Sequence, residues 1–95
     1  MQIGWTETAL RHLAAIQAYI EKDKPEAAMH VARAICRAVA YLAAHPHLGR
    51  PGRKPGTREL IIAGTPFLVP YQVQGDRLTI LAVLHGAQRR PEFPD

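Results

Sequence analysis

The sequence predicts an α+β fold in which a helical hairpin packs on a small antiparallel sheet. Apolar residues recur with a helical period in the first half of the chain, and the period changes to two in the second half. A basic segment rich in glycine and proline separates the halves. Since neither layer can bury its apolar side alone, each must cover the other. The predicted order is β-α-α-β-β-β, and a chain of 95 residues corresponds to one domain, 1–95.

The first helix is predicted over residues 7–22, after a short strand candidate at 2–5. The hydroxyl of Thr6 can cap its first turn. Apolar residues at helical spacing form one face of this helix. They are Ala9, Leu13, Ile16 and Ile20.

The second helix is predicted over residues 25–44, because Pro25 suits a first helical turn and Pro46 ends the helix. Its apolar stripe consists of Ala28, Val31, Ile35, Val39 and Leu42. The opposite side carries Glu26, His30, Arg33 and Arg37, and we interpret it as a solvated face rather than a binding face. Cys36, the single cysteine, lies within the apolar pattern and is predicted to be buried and reduced, which favours a cytoplasmic protein.

Three strands are predicted in the second half, at 58–62, 67–73 and 78–84, and they form a meander. The last is apolar on both sides and is expected to be central in the sheet. The turn at 74–76 is a hairpin signal. Pro70 lacks the N–H of a ladder donor, so we expect a bulge there, or a position where that N–H would face no neighbour. The sheet face away from the helices is expected to stay partly open for a ligand or partner.

Composition limits the possible partners. The formal net charge of +4 and the isoelectric point near 9.7 favour nucleic acid or an acidic protein segment. No apolar run approaches the roughly 20 residues of a membrane span, and the N-terminus lacks the layout of a secretory signal. We therefore expect no membrane association.

Metal or nucleophilic chemistry has no support in the sequence. His45 and His47 flank a proline in a loop, with no second pair of ligands at a useful spacing. The chain contains no serine, and Cys36 is placed in a helix. We expect no metal and no cofactor.

A cluster of cations is the remaining candidate site. The basic loop, residues 45–57, and the start of the next strand supply most of it, and the C-terminal tail, residues 86–95, supplies the rest. The candidate target-binding residues are Arg50, Arg53, Lys54, Arg58, His85, Arg89 and Arg90. The alternative is a set of solubilising charges on loops.

Metal-free RNA cleavage is one activity that such a cluster could support. It needs a general base or acid and cations for the phosphate. If the protein is a nuclease, the candidate catalytic residues are His85, Arg58 and Arg53. Because Arg58 begins the first strand of the meander and His85 follows the last, the two are not automatically neighbours.

The motifs, taken in order, resemble the RelE/ParE superfamily of bacterial type II toxins and plasmid-stabilisation proteins. The resemblance covers nearly the whole chain. The matching segments are A...L..I..YI at 9–20, L..HP.LGRPGR at 42–53, GTREL at 56–60 and Y.V.GD.L.IL.VLHG at 71–86. It implies two helices on a small antiparallel sheet, and a toxin that inhibits growth. It also implies a cognate antitoxin, typically acidic and partly disordered, which silences the toxin.

The resemblance offers two activities, and it is closer to the ParE-like branch, which poisons DNA gyrase. RelE-like members cut mRNA on the ribosome and tend to carry an arginine three residues before the strand tyrosine. The corresponding residue here is Leu68, and Gln72 follows Tyr71 where many members carry a basic residue. A binding protein is therefore favoured over an enzyme. A RelE-like mRNA endonuclease and a non-toxic relic that only binds antitoxin are the alternatives.

Overall fold

Two helices and six strands follow one another along residues 1–86, which are the part of the chain that the computed structural model describes. The predicted α+β architecture is confirmed. The helices are α1 (Glu7–Glu21) and α2 (Pro25–Tyr41). The strands are β1 (Gln2–Trp5), β2 (Arg50–Pro51), β3 (Thr57–Ile61), β4 (Phe67–Gln74), β5 (Arg77–Ile80) and β6 (Leu84–His85). Neither helix is long and apolar enough to cross a membrane, a finding that covers residues 1–86.

The start of α1 follows the prediction. The amide of Ala9 donates a hydrogen bond of 3.0 Å to the hydroxyl oxygen of Thr6, which satisfies one of the unpaired amides of the first turn. That hydroxyl also donates to the carbonyl of Leu81 at 3.1 Å. Thr6 therefore caps the helix and joins its first turn to the sheet.

The predicted second helix ends three residues early, at Tyr41. The amides of Leu42 and the two residues after it donate to carbonyls three positions back, as in the tighter turn that often closes a helix. The basic loop is also less irregular than predicted. Arg50 and Pro51 form the short strand β2, opposite Glu59 and Arg58 of β3.

The sheet is mixed rather than purely antiparallel. Its strand order is β1-β5-β4-β3-β2, with β6 paired to β4. All pairs are antiparallel except β1 with β5, which run parallel. The pairing places β5 between β1 and β4, as expected for a central strand. The direction of β1 depends on a contact between residues more than seventy positions apart, which local periodicity does not report.

A bulge interrupts the strand that was predicted over 78–84. Ile80 pairs with Tyr71, and Leu84 pairs with Leu68. From Ile80 to Leu84 the chain advances four residues, whereas along β4 the matching stretch from Tyr71 to Leu68 covers three. The extra residue therefore forms a bulge. The carbonyl of Pro70 accepts a hydrogen bond of 2.9 Å from the residue after Ile80. Because both backbone groups of a strand residue face the same neighbour, the missing N–H of Pro70 faces the bulge, which confirms the expectation.

The core lies between the helical hairpin and one face of the sheet. The predicted stripe of α2 is confirmed, with Val31 half-buried. In the predicted stripe of α1, Ala9 is fully buried and the other three residues are partly buried. The largest wholly buried side chains are Tyr71, Ile35, Leu42, Ile62, Leu78, Ile80 and Val69.

Cys36 is exposed, so the prediction of a buried cysteine is wrong. It follows the buried Ile35 directly, and one residue turns about 100° around a helix, which carries Cys36 out of the apolar stripe.

The second face of the sheet is less open than expected. Alternate residues of a strand point to opposite faces, so Leu68 and Pro70 lie on the face away from the helices. Both are buried, whereas Ile61 beside Leu68 is 52% exposed.

Candidate target-binding surface

Tyr71 fixes the loop that follows α2 onto the sheet. The ring is fully buried. Its hydroxyl donates to the carbonyl of Pro46 and accepts from the amide of Gly49, each at 2.8 Å. Both hydrogen bonds cross more than twenty residues of sequence, so a single hydroxyl sets the path along which the basic segment leaves the helices.

Gly49 is required by this close approach. A Cβ atom at this position would lie 2.7 Å from both the ring and the hydroxyl of Tyr71, and 2.9 Å from the carbonyl oxygen of Glu59. Those distances are shorter than a van der Waals contact of a Cβ atom, and one of the atoms in the way is a backbone oxygen. The glycine thus allows the loop to lie directly on β3 and β4.

Arg58 holds the same loop from the other side. Its Nη1 donates to the carbonyls of Gly49 at 2.7 Å and His47 at 3.2 Å. These are charge-assisted hydrogen bonds, and the side chain is half-buried. The guanidinium is therefore already engaged with backbone, in a position that organises the loop.

Arg50 is engaged as well. Its guanidinium contacts the carboxylate of Glu59, with Nη2 at 3.2 Å and Nε at 3.4 Å from Oε1. The two residues are direct partners on β2 and β3. The Glu59 side chain is only 12% exposed and that of Arg50 is 48% exposed. This pair neutralises one cation of the cluster.

The two remaining loop residues differ. The carbonyl of Lys54 accepts hydrogen bonds from the amide of Thr57 at 3.1 Å and from its hydroxyl at 2.7 Å, so it closes the turn that leads into β3. Arg53 is exposed, and within residues 1–86 it has no ion pair or hydrogen-bond partner. Arg53 is therefore the loop arginine that stays available to an external anion.

His85 lies at the end of β6, away from the basic loop. It pairs with Phe67, and the two rings meet edge to face at 5.7 Å. Arg58 pairs with Tyr71, four residues further along β4 and on its other side. Four strand residues span about 13 Å and two strand spacings about 10 Å, so the two backbones lie roughly 16 Å apart. The fold does not bring His85 to Arg58 and Arg53.

Two of the predicted residues, Arg89 and Arg90, lie outside the described residues. Among residues 1–86, no three histidine, cysteine, aspartate or glutamate side chains come together as metal ligands.

A groove between α1 and the strand end at β6 is a feature that the sequence did not reveal. Its volume is about 810 Å³, and it is lined by apolar side chains and two histidines. His12 accepts a hydrogen bond of 3.2 Å on Nδ1 from the amide of Val83, which ties the helix to the bulge. Tyr19, at the groove margin, is 76% exposed. The one sequence feature that could have indicated the groove is Tyr19, an aromatic residue directly beside the apolar stripe of α1.

The fold, with a basic loop between a helical hairpin and the sheet, is that of the type II toxins of the RelE/ParE superfamily. The chain superposes on a chain of the chromosomal ParDE TA system from P. aeruginosa with a TM-score of 0.81, at 32% identity over 90% of this chain and 95% of that one. It also superposes on a chain of the toxin–antitoxin complex RelBE2 from Mycobacterium tuberculosis with a TM-score of 0.60, at 26% identity and 92% coverage of both.

Sequence comparison narrows the class. Residues 3–90 match the family of the ParE toxin of type II toxin-antitoxin system, parDE. A protein of Sinorhizobium fredii (strain NBRC 101917 / NGR234), named "Putative toxin Y4kP", is 48% identical over 91 residues, which cover 96% of this chain and 94% of the relative. The chain belongs to the ParE toxin family, and it is a type II toxin of a toxin–antitoxin system.

Proposed function

We propose that this toxin inhibits growth by binding and poisoning DNA gyrase, and that a cognate antitoxin neutralises it. The observation that carries the proposal is the environment of Leu68. At this position RelE-like nucleases tend to carry the arginine that stabilises a phosphate. Here the side chain is buried, and its register partners are Ile61 and Leu84. An apolar row of this kind offers a phosphate neither charge nor hydrogen-bond donors.

The distribution of the cations also supports binding rather than cleavage. General acid–base catalysis needs the base, the acid and the phosphate ligands within hydrogen-bond reach of one substrate. His85 and Arg58 are separated by about 16 Å of sheet. Arg58 and Arg50 are already bonded to the protein itself. A surface that recognises a partner tolerates such spacing, whereas a catalytic centre does not.

An antitoxin is the second expected partner. The solved relatives are a ParDE TA system and the RelBE2 toxin–antitoxin complex. The net charge of +4 suits an acidic, partly disordered segment. The groove beside Tyr19 offers apolar surface to such a segment as it folds. Both partners act in the cytoplasm, where we place this protein.

The test is a paired assay on one preparation of the purified protein. Gyrase supercoiling of relaxed plasmid should be inhibited, and cleaved gyrase–DNA complexes should accumulate. Adding the antitoxin encoded beside the toxin should restore supercoiling. In induced cells, 5′ ends of mRNA should show no new codon-linked cuts.

Each other outcome assigns a different activity. Codon-linked cuts with unaffected gyrase would overturn the proposal in favour of a RelE-like mRNA endonuclease. Normal growth without antitoxin would identify a relic that only binds antitoxin.

A further inference from the structure

The exposed side of α2 carries two cations that the fold leaves unused. Arg33 and Arg37 are exposed, and neither has an ion pair or hydrogen bond with any residue of 1–86. They stand one helical turn apart, about 6 Å along the axis. By contrast, the exposed Arg11 on α1 pairs with Glu7 at 3.3 Å, and Arg50 pairs with Glu59 at 3.2 Å.

An aromatic pair continues the stripe. Tyr41 lies one turn beyond Arg37 and is 55% exposed. Its ring stacks on that of His45, with centroids 4.3 Å apart and planes inclined by 24°. From Arg33 to Tyr41 the stripe spans about 12 Å, with cations at one end and exposed ring faces at the other.

The acidic residues beside this stripe lie at its N-terminal end, where Asp23 and Glu26 line a surface pocket together with Arg33. Residues 27–58 include no aspartate and no glutamate, although they include Arg33, Arg37 and four further lysine or arginine residues. The stretch from Arg33 to His45 holds only cationic and neutral side chains, whereas a face that only keeps a protein in solution normally mixes both signs. An uninterrupted cationic stretch instead favours an anionic partner.

We propose that the stripe Arg33–Arg37–Tyr41–His45 binds single-stranded DNA. The arginines contact successive phosphates, and the aromatic pair stacks on a base. Surfaces that bind single strands combine cations along the backbone with aromatic faces for bases, and this stripe has both within three helical turns. An acidic peptide would use the arginines but has no base to place on the rings. We choose DNA over RNA because the proposed target, gyrase, acts on DNA, and this choice therefore rests on the proposed function.

The test measures binding of the intact protein to a fluorescein-labelled 20-nucleotide oligo-dT by anisotropy across a salt series. The double variant Arg33→Gln, Arg37→Gln should raise Kd by about tenfold or more at low salt. The dependence of log Kd on log salt should become shallower by about 1.4, since each phosphate contact on a single strand contributes roughly 0.7.

The matched control is the double variant Arg11→Gln, Arg77→Gln, which removes the same charge from exposed positions elsewhere. It should keep the wild-type salt dependence. Equal losses in the two double variants would overturn the proposal, because they would report net charge alone.

The aromatic part has its own test. Tyr41→Ala should raise Kd by about fivefold to 150-fold, whereas Tyr41→Phe, which keeps the ring, should bind as wild type. An unchanged Kd for Tyr41→Ala overturns the assignment of a stacking role. Thermal melts of every variant should match wild type, since all the altered side chains are exposed.

Competition separates the partner classes. A polyglutamate peptide that displaces oligo-dT at equal charge concentration would overturn DNA in favour of an acidic protein. Oligo-U that binds tenfold tighter than oligo-dT would overturn it in favour of RNA. Wild-type gyrase assays are run in parallel. If the wild-type protein binds DNA but does not inhibit gyrase, the proposed function is rejected. If the protein inhibits gyrase and the stripe variants bind DNA as tightly as wild type, this inference is rejected.

Discussion

At the scale of single residues, contacts within the protein organise the basic segment and engage two of its arginines, Arg50 and Arg58. The hydroxyl of Tyr71 and the guanidinium of Arg58 bond to backbone groups of three residues in the basic loop, Pro46, His47 and Gly49. Gly49 makes the approach possible because no Cβ fits there. Arg58, which the sequence suggested as a phosphate ligand, thus holds the loop in place instead. Arg53 is the loop arginine with no partner among residues 1–86.

Tyr71→Phe should lower the free energy of unfolding by about 1–3 kcal/mol, because the amide of Gly49 and the carbonyl of Pro46 lose their shared partner inside the protein. Urea denaturation measures it. Tyr19→Phe removes the same atom from a side chain that is 76% exposed and should change nothing. Equal effects in both variants would contradict the structural role of the buried hydroxyl.

Ile35→Ala should cost about 2–5 kcal/mol, since the side chain is wholly buried between helices and sheet. Its neighbour Cys36 is exposed, so Cys36→Ala should stay within about 0.5 kcal/mol of wild type. Thermal or chemical unfolding of the two variants side by side checks the facing of α2. A large loss for Cys36→Ala would reverse it.

If the toxin acts on gyrase as proposed, Arg53→Gln should weaken that inhibition about tenfold or less, since an exposed cation at a rim contributes modestly to affinity. Arg77→Gln removes the same charge from the exposed first residue of β5 and serves as control. Titration of gyrase supercoiling with each variant measures the effect. If Arg53→Gln is as potent as wild type, the basic loop is not a contact surface.

At the scale of elements, side chains at the ends of helices and strands join one element to the next. Thr6 caps α1 and also bonds to the residue that opens the bulge. His12, two turns along α1, accepts from Val83 within the same bulge. The bulge between β5 and β6 is therefore held by the helix on one side and faces Pro70 of β4 on the other.

Thr6→Ala should destabilise the protein by about 1–2 kcal/mol, because it removes the cap and the bond to the sheet together. Thr6→Ser keeps the hydroxyl and should recover most of the loss. Chemical denaturation with far-ultraviolet circular dichroism follows both variants. Equal destabilisation by alanine and serine would show that the methyl group, not the hydroxyl, supports α1.

At the scale of the whole molecule, the charge is divided between two regions rather than gathered in one centre. The basic loop packs on β3 and β4, and two further arginines without a partner among residues 1–86, Arg33 and Arg37, lie on α2. His85 lies across the sheet from both Arg58 and the loop. This division favours a protein that recognises a large partner over one that cleaves a phosphodiester at a point.

His85→Ala should leave toxicity in cells within about threefold of wild type if gyrase is poisoned by binding. Loss of toxicity, together with loss of mRNA cuts, would identify the histidine as catalytic. The readout is colony survival after induction without antitoxin. Replacing Arg89 and Arg90 together should reduce toxicity if the C-terminal tail is a contact surface, and full toxicity in that variant would remove the tail from it.

Much of the architecture could be predicted from the sequence, because it depends on local chemistry. The periodicity of the apolar residues indicated both helices and the buried stripe of α2, and the lack of an N–H on Pro70 indicated the bulge. The error at Cys36 came from weighing residue type above position. The spacing of the α2 stripe, which includes Ile35, already placed Cys36 outside it.

The sequence by itself determined the first strand, both helices and the meander, their order, the layer that each apolar face covers and the toxin superfamily that the motifs resemble. Only the tertiary structure decided that β1 runs parallel to β5, that Arg58 and Arg50 are bonded within the protein, and that Arg33 and Arg37 have no partner among residues 1–86. The physical reason is the distance along the sequence between the groups that interact. Helices, turns and bulges follow from neighbours in sequence, whereas the availability of a cation depends on which distant carbonyl or carboxylate the fold brings to it.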